Sequence, residues 1–261
     1  MKFVLVKKRT LVKAGVVLVA LVGSLLGVWL SGAAPVFSNS SVRNHPIYSV
    51  ETQKQQVALS FDASFGATRT QGILDILTTH EVEATFFVTG AWAERNSEQL
   101  KMLAGSERIE IGSHSNTHPH MTRLRNRQME LELSTSVTSI KSVSGIAPTL
   151  FRAPYGEYSD ALLAVAAEQN LTSIQWNVDG LDWKDLSSYD ITNRVLAQSG
   201  AGSIIRLQND GRNTLDALPA IIVGLQNRGL QIVTVGELIL TENYTINSSG
   251  VQIPLVTNNQ R

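Results

Sequence analysis

The sequence predicts an α/β fold, and the number of its repeating units favours a barrel of parallel strands. Short apolar or β-branched segments alternate with helical patterns at a period of about 30 residues. Crossover connections between parallel strands place helices on the faces of a sheet, so this alternation builds a parallel sheet or barrel. Seven such units favour the barrel. The composition, with 43% hydrophobic and 17% charged residues, excludes a disordered or collagen-like chain.

Each predicted strand is a short apolar or β-branched run. The predicted strands are residues 57–62, 84–89, 110–114, 150–154, 172–178, 203–208 and 231–235. The clearest helix covers residues 127–143, where apolar side chains recur every three or four residues and form one stripe. Further helices are predicted to begin behind caps at Ser159, Ser188 and Thr214.

The start of the chain has the pattern of a membrane-targeting segment. Residues 14–30 carry no charge and follow five basic residues. This run is at the short end of what spans a bilayer and is longer than a typical signal-peptide core. We favour an uncleaved anchor within residues 1–34, because Pro35 disfavours cleavage directly before it; a secreted chain cleaved near Ala33 is the alternative. In both cases the basic flank predicts that the chain after the anchor lies outside the cytoplasm.

The rest of the chain divides into three parts. Residues 35–53 are rich in Ser, Asn and Pro without a sustained period and are predicted to be a tether. Residues 54–241 carry the regular alternation and are predicted to be one folded domain. Residues 242–261 are polar and largely aperiodic, so we expect a C-terminal extension that lies on the surface or is disordered.

Charge and cysteine content exclude several functions. Five of the 22 Lys and Arg residues precede residue 14, which leaves 17 basic against 22 acidic residues in the remainder. This mildly acidic body argues against nucleic-acid binding. The chain contains no Cys, so thiolate zinc sites and disulfides are excluded. Nothing in the sequence identifies a protein partner.

Polar residues collect where the predicted strands end, which is the functional face of parallel α/β folds. The residues at these positions are Asp62, His114, His118, Arg152, Tyr155, Asp179, Asp182, Trp183 and Gln208. Taken singly, an Asp after a strand is commonly a turn or cap residue, and an Arg is an ordinary ion-pair partner. The two imidazoles, four residues apart in a polar loop, have no apolar face to pack. A divalent metal would use them as ligands, although two histidines at this spacing do not by themselves supply a third ligand.

Together, these residues resemble the ordered motifs of a known family. The motifs are Ser60-Phe61-Asp62, His114-x-x-x-His118, Arg152-Ala153-Pro154-Tyr155-Gly156 and Asp179-x-x-Asp182-Trp183. They resemble the polysaccharide deacetylases of carbohydrate esterase family 4, the NodB homology domain, and in particular its sporulation-associated branch. The resemblance implies a distorted (β/α)7 barrel and metal-dependent removal of N-acetyl groups from amino sugars of peptidoglycan or chitin-like polymers.

The resemblance also implies a role for each motif residue. Asp62 corresponds to the general base, and Arg152 to the residue that orients it. The backbone N–H of Tyr155 corresponds to the donor that stabilises the oxyanion. His114 and His118 correspond to ligands of a divalent metal, with zinc as the first choice and cobalt or manganese as alternatives.

Further roles concern the substrate groove. Asp182 corresponds to the acid that tunes a proton-donating histidine. Pro154 and Trp183 are expected to contact the substrate, Trp183 as an apolar wall, although a core Trp fits the sequence equally well. Arg206 and Gln208 stand in the same groove.

Three positions depart from the family pattern. Ala63 stands where the family has a second, metal-binding Asp. Gln208 stands where the family has the histidine that protonates the departing amine, and an amide has no proton to transfer near neutral pH. Arg206 replaces an apolar residue of the acetyl pocket.

The sequence therefore leaves three hypotheses. The first is a cell-surface, metal-assisted N-deacetylase of N-acetylated polysaccharide. The second is a catalytically silent or slow relative that binds cell-wall glycan, and it is motivated by Ala63 and Gln208. The third is a glycosidase that pairs Asp62 with Asp179 or Asp182.

Overall fold

The computed structural model describes residues 45–255, and this part of the chain contains eleven strands and eight α-helices. The strands are β1 (Ser49–Val50), β2 (Gln56–Ala63), β3 (Ala84–Val88), β4 (Ile109–Ser113), β5 (Leu150–Phe151), β6 (Thr172–Ser173), β7 (Val178–Asp179), β8 (Ile204–Gln208), β9 (Gln231–Val233), β10 (Tyr244–Ile246) and β11 (Val251–Pro254). All seven predicted strands are confirmed. The one predicted at residues 172–178 is two short strands, β6 and β7.

The helices lie between the strands, as the alternation predicts. They are α1 (Thr70–Thr79), α2 (Gly90–Arg95), α3 (Ser97–Ala104), α4 (Asn126–Ser144), α5 (Asp160–Glu168), α6 (Ser188–Gln198), α7 (Thr214–Asn227) and α8 (Val235–Leu238). Single 3₁₀ turns cover Met121–Arg123, Pro154–Gly156 and Asp182–Lys184.

The predicted caps are confirmed at one helix and shifted at two. The Ser159 hydroxyl accepts a hydrogen bond from the N–H of Leu162 at the start of α5. The cap of α6 is Ser187 instead of Ser188, and its hydroxyl accepts from the N–H of Asp190. Thr214 is the first residue of α7 and not its cap, because its hydroxyl donates to a buried carboxylate of the site described below.

The main sheet is entirely parallel and has two edges. Its strands follow the order β6-β5-β4-β3-β2-β8-β7, and β9 pairs with the first part of β2. Within the described residues no pairing joins β6 to β7. The predicted parallel α/β architecture is therefore confirmed, but the barrel is an open, curled half-barrel. The strands β5, β6 and β7 have two residues each, too few backbone pairs to carry the sheet around to closure.

Alternation along β2 separates the core from the site. Leu59, Phe61 and Ala63 point into an apolar cluster shared with the helices that cover the sheet. Ser60 and Asp62 point to the opposite, concave face. A polar residue is thus presented at the strand end without interrupting the helix-facing core.

The segments before and after the predicted domain are part of the fold. β1 pairs with β11, and β11 pairs with β10, in a separate three-stranded sheet. Ile47 is buried and forms an isolated parallel bridge with Ile174. Residues 45–53 of the predicted tether and residues 242–255 of the predicted C-terminal extension are therefore ordered, and β10 and β11 lie largely at the surface. Their few apolar side chains, Ile47 among them, are enough to dock them against the core.

No helix within residues 45–255 combines the length and the apolar character that crossing a membrane requires. The predicted membrane segment, residues 14–30, and the alternative cleavage near Ala33 lie outside the described residues.

Candidate active site

A buried carboxylate at the end of β2 is the centre of the site. Asp62 is only 1% exposed, and its Oδ1 accepts a hydrogen bond from Nη1 of Arg152 at 2.9 Å. Its Oδ2 accepts from Nε of Arg206 at 2.6 Å. Burial alone would raise the pKa of Asp62, but the charges of the two arginines outweigh burial and hold that pKa well below its usual value. The carboxylate is therefore ionised at neutral pH.

Arg152 is fully buried and fixed on several sides. Its Nη1 also donates to the Ser60 hydroxyl at 2.9 Å, and its Nη2 donates to the carbonyl of Gln175 at 3.2 Å. The guanidinium lies 4.0 Å from the centre of the Phe87 ring. A charge this deeply buried is tolerated because it is paired and hydrogen-bonded, so Arg152 holds Asp62 in one orientation.

The two predicted imidazoles lie together beside this carboxylate. The ring centres of His114 and His118 are 4.9 Å apart, and Nε2 of His114 is 4.0 Å from Oδ2 of Asp62. Nδ1 of His114 lies 2.6 Å from the carbonyl oxygen of Arg152, so Nδ1 carries the proton and Nε2 offers a lone pair. Burial lowers the pKa of His114 to about 4 against the opposing charge of Asp62, and burial also lowers the pKa of His118. Both rings are neutral at pH 7.

A glutamate that the sequence analysis missed holds the histidine loop. Glu132 on α4 accepts hydrogen bonds from the N–H groups of Asn116 and Thr117, both at 2.9 Å, and from the Thr117 hydroxyl. His118 has a left-handed backbone, with φ of 62°, and its N–H donates to the Ser115 hydroxyl. Backbone strain of this kind persists only where contacts enforce it. No pattern in the sequence signals Glu132, because it stands on the polar side of an amphipathic helix.

Asp182 lies in the same region but contacts no imidazole. Its Oδ2 accepts from the backbone N–H of Gln208 at 2.8 Å and from the Thr214 hydroxyl at 2.6 Å, while its Oδ1 is buried without a partner. Burial raises the pKa of Asp182 to about 6, although these two donors oppose the shift. The role expected from the resemblance, tuning a histidine, has no partner here because position 208 is Gln.

Asp179 is linked to the site through Arg206. Nη1 of Arg206 donates a hydrogen bond to Oδ2 of Asp179 at 3.2 Å. Paired carboxylates for glycoside cleavage require one acid with a raised pKa that can reach the sugar. Asp62 has a lowered pKa, and Asp182, whose pKa is raised, is 1% exposed. This arrangement disfavours the glycosidase hypothesis.

Tyr155 and Trp183 form the accessible rim. Tyr155 follows the buried Pro154 and has a left-handed backbone, with φ of 60°. Among the described residues its N–H has no acceptor, so it is free to bind a ligand oxygen. The side chains of Tyr155 and Trp183 are 53% and 52% exposed. Trp183 is therefore not a core residue.

The two imidazoles fit a divalent metal as nitrogen ligands. His114 presents a free Nε2 lone pair, and Nδ1 of His118 is buried without a partner. Catalytic zinc usually takes three protein ligands. Within residues 45–255 no group of three His, Cys, Asp or Glu side chains is arranged to hold a metal. Asp62 could be a third ligand, but the oxygen nearest to His114, Oδ2, already accepts from the Arg206 guanidinium, so a metal there would lie beside a fixed positive charge. Ala63 is buried in the helix-facing core.

Comparisons with known proteins agree with this geometry. A family model described as polysaccharide deacetylase matches residues 49–174. The chain is 36% identical over 193 residues to a peptidoglycan-N-acetylglucosamine deacetylase of Bacillus cereus, covering 72% of this chain and 70% of that protein. It is also 36% identical over 190 residues to a peptidoglycan-N-acetylmuramic acid deacetylase of Bacillus subtilis, covering 72% of this chain but only 40% of that longer protein.

Solved structures are similar over about three quarters of this chain. A protein described as a CE4 family pseudoenzyme from Bacillus anthracis has a TM-score of 0.72 and 29% identity, covering 74% of this chain and 68% of that one. A mutant of the same protein, described as having restored enzymatic activity, has a TM-score of 0.72 and 30% identity, covering 74% of this chain and 71% of that one.

Proposed function

The chain belongs to the polysaccharide deacetylase family, and from that premise we propose that it removes N-acetyl groups from amino sugars of cell-wall glycan, peptidoglycan or a chitin-like polymer. The observation that carries the proposal is the buried Asp62–Arg152 pair beside the His114 imidazole, with Nε2 and Oδ2 4.0 Å apart. An ionised carboxylate next to neutral imidazole nitrogens is a grouping suited to activating water near an amide.

Each residue that matches a family motif has a defined task in this reaction. Asp62 accepts the proton of the water that attacks the acetamide carbon, and Arg152 keeps Asp62 ionised and oriented. The N–H of Tyr155 donates to the oxygen that becomes negative as the new C–O bond forms. A zinc ion held by His114 and His118, with cobalt or manganese as alternatives, would supply polarisation of the carbonyl and a lower pKa of the water.

Breaking the C–N bond requires a proton on the departing amine. Gln208 has none to give near neutral pH, so solvent water or another group must provide it; the proton that Asp62 takes from the attacking water is available for this transfer. General acid catalysis by a positioned side chain contributes about 10²- to 10⁴-fold, and we expect turnover to be slow by a comparable factor. Trp183, which is exposed, forms the apolar wall for the acetyl methyl group or the sugar face. Pro154, the other predicted contact, is buried in the structure and is not part of this wall.

The substrate class agrees with the proposed location. We propose that residues 14–30 anchor the chain in the membrane and that the domain faces the cell wall, or that the domain is secreted after cleavage near Ala33. An N-acetylated polysaccharide is the partner available on that side.

Product analysis tests the proposal. The full chain, purified in mild detergent, is incubated with N-acetylated peptidoglycan and with chitooligosaccharides, with and without added zinc, cobalt or manganese. We expect free acetate and new amines in equal amounts, and we expect Asp62→Ala to abolish both. Asp75→Ala, which changes an exposed carboxylate on α1, is the matched control. New reducing ends would instead indicate a glycosidase.

One observation favours a second function, glycan binding without turnover. Nε of Arg206 donates to Oδ2 of Asp62 at 2.6 Å, which hinders Asp62 as a base, and Gln208 cannot act as the acid. Neither of the two proton transfers of the reaction therefore has an unhindered group. Under this alternative the chain would bind the same polysaccharides and release no acetate under any metal condition.

A further inference from the structure

Arg206 occupies an unusual place for a cation. It lies on β8 in register with Ser60 of β2, so its side chain enters the concave face next to Asp62. Its guanidinium bridges Asp62 and Asp179, and the side chain is only 15% exposed. The guanidinium carbon also lies 4.3 Å from the centre of the Trp176 ring. These three contacts hold the guanidinium in one position, whereas the side chain of an arginine at the surface would be mobile.

The charges around the site are already balanced. Two guanidinium groups, those of Arg152 and Arg206, face two carboxylates, those of Asp62 and Asp179. A divalent ion between the imidazoles would add two positive charges beside Arg206. The third carboxylate of the site, Asp182, is directed to the Gln208 N–H and the Thr214 hydroxyl, and within residues 45–255 it forms no metal-binding group with the imidazoles. The oxygen nearest to the imidazoles, Oδ2 of Asp62, is the one that Arg206 holds.

We propose that Arg206 is a built-in cation that takes the place of a divalent metal as the partner of Asp62, and that metal binds only after the Arg206–Asp62 pair breaks. The inference rests on the proposed use of His114 and His118 as metal ligands. Arg206 thereby sets the metal affinity of the site, which in wild type is weak.

Metal titration tests this directly. The full chain in detergent is titrated with zinc by calorimetry, and with cobalt by its visible absorption, for wild type, Arg206→Leu and Arg206→Lys. A single charge within about 4–6 Å changes the proton affinity of a group by roughly ten- to thousandfold, and the effect on a divalent ion is of at least that order. We expect Arg206→Leu to bind both metals at least ten times more tightly, and Arg206→Lys to stay near wild type.

A matched control separates this effect from general loosening of the fold. Arg69 is a half-buried arginine that donates to the carbonyl of Asp210 and has no contact with Asp62, so Arg69→Leu should leave metal affinity unchanged. Arg206→Gln, which keeps a donor for Asp62, serves if Arg206→Leu does not fold. Equal metal affinity in wild type and the uncharged variants would overturn the proposal, as would equal tightening by Lys and Leu.

Acetate release distinguishes this proposal from the proposed function. Tighter zinc binding by Arg206→Leu without acetate from any glycan would support the role of Arg206 and contradict deacetylation. If wild type released acetate and zinc affinity were the same in all variants, the result would support deacetylation and contradict the role of Arg206.

Discussion

Asp182 gives the stability of this protein a pH dependence that a single substitution should remove. Its pKa is raised from 3.8 to about 6 by burial, because Oδ1 has no partner and the two donors on Oδ2 do not compensate for lost hydration. A carboxyl with a higher pKa in the folded state stabilises the fold below its unfolded pKa. That contribution is lost as the pH rises through the folded value.

The magnitude follows from the two pKa values. A shift from 3.8 to about 6 corresponds to about 3 kcal/mol, most of which, about 2 kcal/mol, is lost between pH 4 and pH 8. Asp182→Asn cannot ionise and keeps an oxygen for Thr214 and for the Gln208 N–H. We therefore expect the variant to gain about 2 kcal/mol relative to wild type on going from pH 4 to pH 8.

Urea unfolding followed by tryptophan fluorescence at both pH values measures this difference. His114, whose pKa is lowered, produces the opposite pH dependence, but it is present in both proteins and cancels from the comparison. Asp75→Asn, on the exposed side of α1, should show no pH-dependent difference from wild type. A constant difference between Asp182→Asn and wild type at pH 4 and pH 8 would refute the reasoning.

Three further substitutions test other parts of the site. Asp62→Asn leaves the Arg152 charge buried without its partner and should lower the free energy of unfolding by about 3–5 kcal/mol in urea, a loss that a change at the surface would not produce. Gln208→His supplies the missing acid and should raise acetate release tenfold or more, whereas an unchanged rate would locate the limitation elsewhere. Trp183→Ala removes an exposed wall and should raise KM severalfold at constant kcat; Tyr189→Ala, another exposed aromatic, should leave KM unaltered.

The fold was predictable from the sequence where periodicity is strong. The β2 and α4 segments match their predicted ranges to within one residue at each end, because an alternating buried strand and a long amphipathic stripe are unambiguous patterns. The segments at the two ends of the domain were not predictable. Residues 47–50 are too short a run to predict a strand, and their order depends on partners some two hundred residues later in the chain.

The candidate site, like the fold, was predictable only in part. Strand ends and motif spacing brought Asp62, His114 and Arg152 together correctly, because parallel strands gather their carboxyl ends at one edge. The engagement of Asp62 by Arg206 was not foreseen, since it depends on the register of β8 against β2 and on which face each side chain enters. The sequence suggested only that Arg206 lines a pocket.

The docking of residue 47 has a mechanical consequence. The carbonyl of Ile47 accepts the N–H of Gln175 at 2.7 Å, and the carbonyl of Gln175 accepts Nη2 of Arg152. Two hydrogen bonds thus separate the point where the polypeptide enters the domain from the guanidinium that steadies Asp62. A variant that begins at residue 54 would lose the hydrogen bond between Ile47 and Gln175. A displacement of the chain at residue 47 would be transmitted through Gln175 and Arg152 to the Asp62 carboxylate.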